Sequence, residues 1–421
     1  MRQKNKRGSA RARKNGPSRR WCIPPAVLCE PGETMQGAGI LAENDGELGV
    51  LLWRTSADIA LWTSTPPPAR TGLFAPGSDA RRLARLTDAE IPAPITASLD
   101  TINSALATPD NVDAGALSLC CLQVAAWARG AGLLRTAIDF AQAAALTSPE
   151  RAEAALHAGV FAAAAGQGVR AGTWLHRAVG LARRERDKST YVAALVELGT
   201  LCEQHGATDR ALHFYQLAFR AGRRYSELGV RMRAAHGLLR VARVRRDDEA
   251  ARRCALQAQA AFHADAEGAQ ALLLDLARLW TDEGEMGKAR GALHRLFPLG
   301  ASLSPSDRLA ATALIARVFA RLRVRPRVDS SGALPVDAAT AAQDAWGLLR
   351  DEEIPRPVRC TAALDLAHAA RSRRDREAVA RSIAVLTGLV PESEYPALRL
   401  EIARLRAEEA EAKPTAEGCA A

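Results

Sequence analysis

The sequence predicts an all-α fold, an α-solenoid of antiparallel helix pairs, and three observations carry that expectation. Alanine returns in equivalent places at Ala137, Ala171, Ala211, Ala251 and Ala289, at intervals of 34, 40, 40 and 38 residues. Five residues before these, the chain carries Gly132, Gly166, Gly206 and Gly284, with Arg246 in the fourth place. Apolar residues on either side of each glycine recur with helical spacing, so each interval reads as two helices joined by a tight turn. No such hairpin can bury its apolar face alone, and a self-similar period of this size implies stacking of neighbour on neighbour.

Composition agrees. Of 421 residues, 48% are hydrophobic and only 5% aromatic, while 25% are charged. Ala and Leu with Glu and Arg favour helix, and the β-branched and aromatic alternation suited to strands is scarce. The chain exceeds one ordinary globular core, a limit that a stacked array escapes.

The formal net charge of +10 is concentrated at the start of the chain. Nine of the 57 basic residues lie within the first 20 positions, and no acid precedes Glu30. The remaining 48 basic residues face 47 acidic ones, so basic character belongs to a tail and not to the body. No apolar run approaches a membrane span, and the basic start lacks the apolar centre of a secretion signal. A cytoplasmic protein is expected, with its eight scattered cysteines as reduced core thiols.

In chain order, residues 1–39 are basic, then rich in Pro and Gly, and are expected to be disordered. A short N-terminal helical region follows over 40–110, with regular structure expected from near Gly46. Leu48, Leu51, Leu52, Ile59 and Trp62 share one helical face that Pro66–Pro68 terminates. A short helix is expected at Asp79–Leu86, then an amphipathic one through Ile95, Leu99, Ile102 and Leu106. Asp110 or Asn111 is placed to cap the first repeat helix.

The array spans 111–395 as about seven hairpins, interrupted by a Pro-, Ser- and Gly-rich loop at 324–335. The first helices of the first five carry Ala125, Gly159, Gly199, Leu239 and Ala277 where two helices approach closely. Seven residues after the alanine series, the second helices carry Ala144, Ala178, Ala218, Ala258 and Leu296. A helix over 396–412, apolar and then acidic, suits a terminal cap, and 413–421 is a tail.

These residues resemble the tetratricopeptide repeat, whose pattern sets a small residue in the first helix, Gly at the turn, two Ala in the second helix, then Pro. The first two units keep its 34-residue period, with Gly132, Ala137, Ala144 and Pro149 at the pattern's offsets. Later units are longer, and look like the degenerate arrays of bacterial signal receptors and regulators. The resemblance implies a right-handed α-solenoid whose first helices line a concave groove. In the fourth unit its groove positions fall on Arg233, His236, Gly237, Arg240 and Arg243, and the fifth adds Asp275 and Arg278. Guanidinium groups along one groove would take carboxylates or phosphates in paired hydrogen bonds. The family's carboxylate clamp of Lys and Asn, then Lys and Arg, is not reproduced.

Catalytic patterns are missing. Gly166, Gly168 and Gly172 lack both the spacing and the preceding strand of a dinucleotide loop, and Gly287–Ala289 lacks the hydroxyl residue of a phosphate loop. No His-Glu-x-x-His or Gly-x-Ser-x-Gly occurs, and His213 and His236 read as helix-surface or groove residues. The expectation is a non-enzymatic scaffold that needs no cofactor and no metal, and binds a peptide or protein segment of acidic character in the groove. The alternative is a ligand-sensing regulator whose N-terminal region meets nucleic acid, through the basic tail or through Thr96, Ser98, Thr101 and Asn103.

Overall fold

A computed structural model describes residues 37–75, 90–109, 111–263, 268–322, 334, 337–390 and 396–411. The basic tail, the helix expected at Asp79–Leu86, nearly all of the loop 324–335 and the tail 413–421 lie outside the described residues. Every regular element among those described is helical. In order they are α1 (Ala38–Glu43), α2 (Gly46–Ser64), α3 (Pro67–Leu73), α4 (Ala93–Ala107), α5 (Ala114–Gly130), α6 (Leu134–Thr147), α7 (Ala152–Ala164), α8 (Gly168–Glu185), α9 (Lys188–Gln204) and α10 (Thr208–Tyr225). There follow α11 (Leu228–Val244), α12 (Asp248–Ala260), α13 (Ala269–Asp282), α14 (Met286–Leu296), a 3-10 turn (Phe297–Ser302), α15 (Pro305–Leu322), α16 (Ala338–Leu348), α17 (Arg356–Arg373), α18 (Arg376–Leu389) and α19 (Pro396–Glu411).

From α5 onward the helices form tetratricopeptide-like hairpins, and the turn between the two helices of each is set by one backbone requirement. Gly132, Gly166, Gly206 and Gly284 all have φ between 69° and 80°, the left-handed region that glycine enters without steric cost. Arg246 occupies the same turn at φ 56°, and Arg374 does so at φ 61° between α17 and α18. The amide after the left-handed residue then closes back on a carbonyl five residues earlier, as Leu133 to Ala128, Gln167 to Ala162, Ala207 to Cys202, Asp247 to Ala242 and Asp375 to Ala370. Asp247 and Asp375 go straight on to cap α12 and α18 through Ala250 and Ala378, so one short turn ends a helix and starts the next. The five recurrent alanines, Ala137, Ala171, Ala211, Ala251 and Ala289, are all buried.

The chain divides into two compact units, 1–214 and 215–421. In the first, α2 and α4 bury Leu52, Ile59, Ile95, Leu99 and Ile102 in a core shared with Phe140 and Trp174. Regular structure starts earlier than Gly46, because α1 has a task that local sequence does not reveal. The N-cap position of α6 is Leu133, which has no side-chain oxygen to offer. Glu43, the last residue of α1, supplies it: its carboxylate accepts the amides of Arg135 and Thr136, each at 2.8 Å, and the Thr136 hydroxyl at 3.0 Å. A carboxylate there also answers the positive end of the helix dipole. The triple proline ends α2 as expected but also begins α3, where a fixed φ suits the first turn. Asp113, and not Asp110 or Asn111, caps α5, accepting from Gly115 and Ala116.

In the second unit the core runs from Met232 to Leu405. Ser304 and Asp307 form a reciprocal cap that starts α15 at Pro305. From Ala311 to Ala320 every residue of α15 is buried except Arg317, so this stretch is covered everywhere but at that one position. In α11 the close approach is made by Gly237 and not by Leu239. A β-carbon on Gly237 would lie 2.4 Å from Cζ of Tyr215, whose ring is fully buried.

Candidate functional site

The groove positions expected from the register fall on the first helices of the second unit, and the structure brings most of them into direct contact. On α11, His236, Arg240 and Arg243 stand at helical spacing; on α13, Asp275 and Arg278 do the same. His236 Nε2 lies 2.7 Å from Asp275 Oδ2, and its Nδ1 lies 3.4 Å from Arg240 Nη1. Arginine can only donate, so in the neutral ring Nδ1 is the acceptor from Arg240 and Nε2 the donor to Asp275. Arg240 also donates to the Tyr215 hydroxyl at 3.1 Å, and Arg243 lies 3.5 Å from Asp275 Oδ1. Burial pushes the Asp275 carboxyl up, but the hydrogen bond from His236 and the surrounding charges, Arg243 and Arg240 among them, outweigh it and hold the carboxyl below its ordinary range.

Two expectations need correcting. His236 is not a surface or open groove side chain; it is 5% exposed, a connector between α11 and α13. Gly237 does not face the groove either, because it lies against the Tyr215 ring. Arg233 stands half-buried one turn earlier on α11.

Arg278 does not join its neighbour Asp275. It reaches forward to Asp365 of α17, Nη2 to Oδ2 at 3.3 Å, and Arg317 of α15 meets the same carboxylate at 2.8 Å and Asp282 of α13 at 3.3 Å. Asp365 is 1% exposed, so these guanidinium groups supply the compensation that a buried carboxylate demands. Tyr215, Asp282, Arg317 and Asp365 were missed in the sequence. The available signal was a lone formal charge inside a mostly apolar stretch of helix, as Arg317 is among Ala311–Ala320 and Asp365 among Ala362–Ala370.

The result is a ladder of ion pairs on one face of successive first helices. It holds Arg240, Arg243, Arg278 and Arg317 against Asp275, Asp282 and Asp365, leaving cations in excess. Arg278 and Arg317 are 19% and 16% exposed, and Arg243 33%, so the guanidinium groups are fixed but reachable.

Other chemistry has little support. Burial pushes the thiols of Cys120, Cys121, Cys202, Cys254 and Cys360 above the ordinary cysteine value, which keeps them protonated and poorly nucleophilic. Among the described residues no three His, Cys, Asp or Glu side chains stand together as metal ligands, and no helix is long and apolar enough to cross a membrane. On α4, the hydroxyl of Ser98 is buried and donates to Gln123, while Thr96 and Thr101 donate to backbone carbonyls of their own helix.

No protein-family description matches the chain, and no curated protein does. Solved structures of similar shape include PilF of Pseudomonas aeruginosa, 14% identical, covering 69% of this chain and 97% of its own, with a TM-score of 0.43. The Rap conjugation gene regulator of plasmid pLS20 in complex with the Phr* peptide is 13% identical over 80% of this chain and 95% of its own, at 0.43. A Rap protein complexed with Competence and Sporulation Factor is 13% identical over 83% of this chain and 100% of its own, at 0.41. Likeness at this level leaves function to be argued from the residues of this chain.

Proposed function

We propose that the chain is a non-enzymatic interaction scaffold that holds an acidic peptide or protein segment against the first-helix face of its second unit. The observation that carries this reading is the ladder itself: α11, α13, α15 and α17 bury their other faces and present charged side chains at matching positions, with guanidinium groups outnumbering carboxylates. Ion pairs within the protein hold the guanidinium planes in place before a partner arrives, which lowers the entropy cost of forming paired bonds to it. An incoming carboxylate would share Arg240 and Arg243 with Asp275 and not displace it.

The test is crosslinking mass spectrometry on the native host, followed by capture of the identified partner with an Arg240→Gln/Arg243→Gln variant. Capture at moderate salt should be lost while the thermal midpoint stays within a few degrees. Equal capture by the variant would show that the ladder is structural only and that the partner binds elsewhere. Deleting residues 1–20 should change mainly the association rate and its salt dependence, because tail charges are screened beyond about 8 Å. A gel shift that is abolished by that deletion alone would confine any nucleic-acid contact to the tail.

A further inference from the structure

A second surface, lined by none of the ladder residues, is a cleft of about 610 Å³ between α16, α17 and α18. Its floor is made of small or apolar side chains: Ala342 from α16, Leu366, Ala369 and Ala370 from α17, and Ala378 from α18. With so little side chain between them, the two outer helices leave a gap over α17. One large residue stands in it, Trp346, and the Arg381 guanidinium of α18 lies 4.3 Å from the Trp346 ring centroid. A guanidinium held over an indole ring by cation–π attraction still has N–H groups to offer an acceptor.

The rim is unevenly charged. Arg350, Arg373 and Arg381 line it together with Asp375 and Glu377, and all but Asp375 are exposed. Asp375 is already committed to the Ala378 amide as the cap of α18. Asp337, the acid whose carboxyl Arg373 helps to lower, is committed in the same way to Ala339 and Thr340. Three guanidinium groups therefore surround an apolar floor with Glu377 as the one lining carboxylate not engaged in a cap.

We propose that this cleft is a second docking site, which takes an acidic segment of a partner protein by seating one large apolar side chain on Trp346 and the alanine floor while flanking carboxylates meet Arg350, Arg373 and Arg381. A cleft of this volume holds more than one side chain, and its open rim suits a chain that passes through it over an enclosed small molecule. Charge complementarity selects the occupant: a basic or neutral segment would leave the guanidinium groups facing like charge or nothing.

The probe is a fluorescein-labelled nonapeptide with Phe-Leu at its centre and Glu at every flanking position, titrated against the full chain by anisotropy. Gly347 allows a clean block, since it lines the cleft, lies in α16, and a β-carbon added to it meets no atom within 4 Å. Gly347→Leu should fill the cleft without disturbing the helix and abolish saturable binding. Arg350→Gln/Arg373→Gln should weaken binding by about tenfold or more and flatten its salt dependence. Replacing the peptide's Glu by Gln, or its Phe-Leu by Ala-Ala, should weaken binding similarly, while Arg240→Gln/Arg243→Gln should leave it unchanged, which separates this site from the ladder. Absence of saturable binding to the wild type, or wild-type affinity in Gly347→Leu with an unaltered circular dichroism spectrum, overturns the proposal. So does equal competition by acetyl-phenylalanine and the unlabelled peptide, which would make the cleft a small-carboxylate pocket.

Discussion

Gly237→Ala sets two well-measured effects against each other. In a helix interior the change should stabilise by about 1 kcal/mol from propensity alone. At this position the added carbon would sit 2.4, 2.5 and 2.6 Å from Cζ, Cε1 and Cε2 of Tyr215. Ordinary carbon contacts are about 3.5–4.0 Å, so the new atom is about 1 Å too close to three ring atoms at once. The ring cannot swing aside freely, because it is fully buried and its hydroxyl accepts from Arg240. Overpacking of this kind costs about 1–3 kcal/mol, and a ring shift that breaks the Arg240 bond adds about 1 kcal/mol more. Net destabilisation of about 1–3 kcal/mol is expected. The comparison is Gly291→Ala on α14, where an added β-carbon meets nothing within 4 Å and only the propensity gain remains. Urea melts followed by far-UV circular dichroism should move in opposite directions for the two variants, read as midpoint shifts because long repeat arrays need not unfold in one step. Should Gly237→Ala rise together with Gly291→Ala, the close approach of α11 to Tyr215 is not a constraint on the fold.

Arg246→Gly should stabilise by about 0.5–1 kcal/mol, since an L-residue in the left-handed region costs about 1–2 kcal/mol, partly offset by the entropy of an unfolded glycine; a thermal midpoint at or below wild type contradicts this. Glu43→Ala should cost about 1–2 kcal/mol and speed hydrogen exchange at the amides of Arg135 and Thr136, with Glu43→Gln losing less; unchanged exchange would mean that α1 does not cap α6. Burial holds His157 and His176 below the ordinary histidine value, while in the unfolded chain both return to about 6.5. The unfolded state therefore gains protons first, so their contribution is complete above about pH 6.5 and is lost as pH falls below it. Urea midpoints at about pH 7.5 and about pH 5.5 should differ less in His157→Gln/His176→Gln than in wild type, and an equal difference refutes the assignment.

The hairpin pattern was legible in the sequence because its causes are local. A turn that needs positive φ writes itself as Gly132, Gly166, Gly206 and Gly284, and helices that must touch write themselves as buried alanine at 137, 171, 211, 251 and 289. The same logic failed where one residue type stood in for another: the pattern nominated Leu239, but the small side chain at the contact is Gly237. The partners of charged residues were not legible at all. His236 finds Asp275 across 39 residues, and Glu43 finds the α6 amides across 92 and 93. Arg278 passes over its own helix's Asp275 and Asp282 to reach Asp365. Periodicity states which face of a helix is buried, but an ion pair between repeats depends on the angle and offset at which successive hairpins pack. Those come from the summed fit of many side chains and not from any one spacing. The sequence by itself thus determined the repeating unit and its turns; only the tertiary structure decided that the predicted groove charges compensate one another, because compensation is a property of distances between helices.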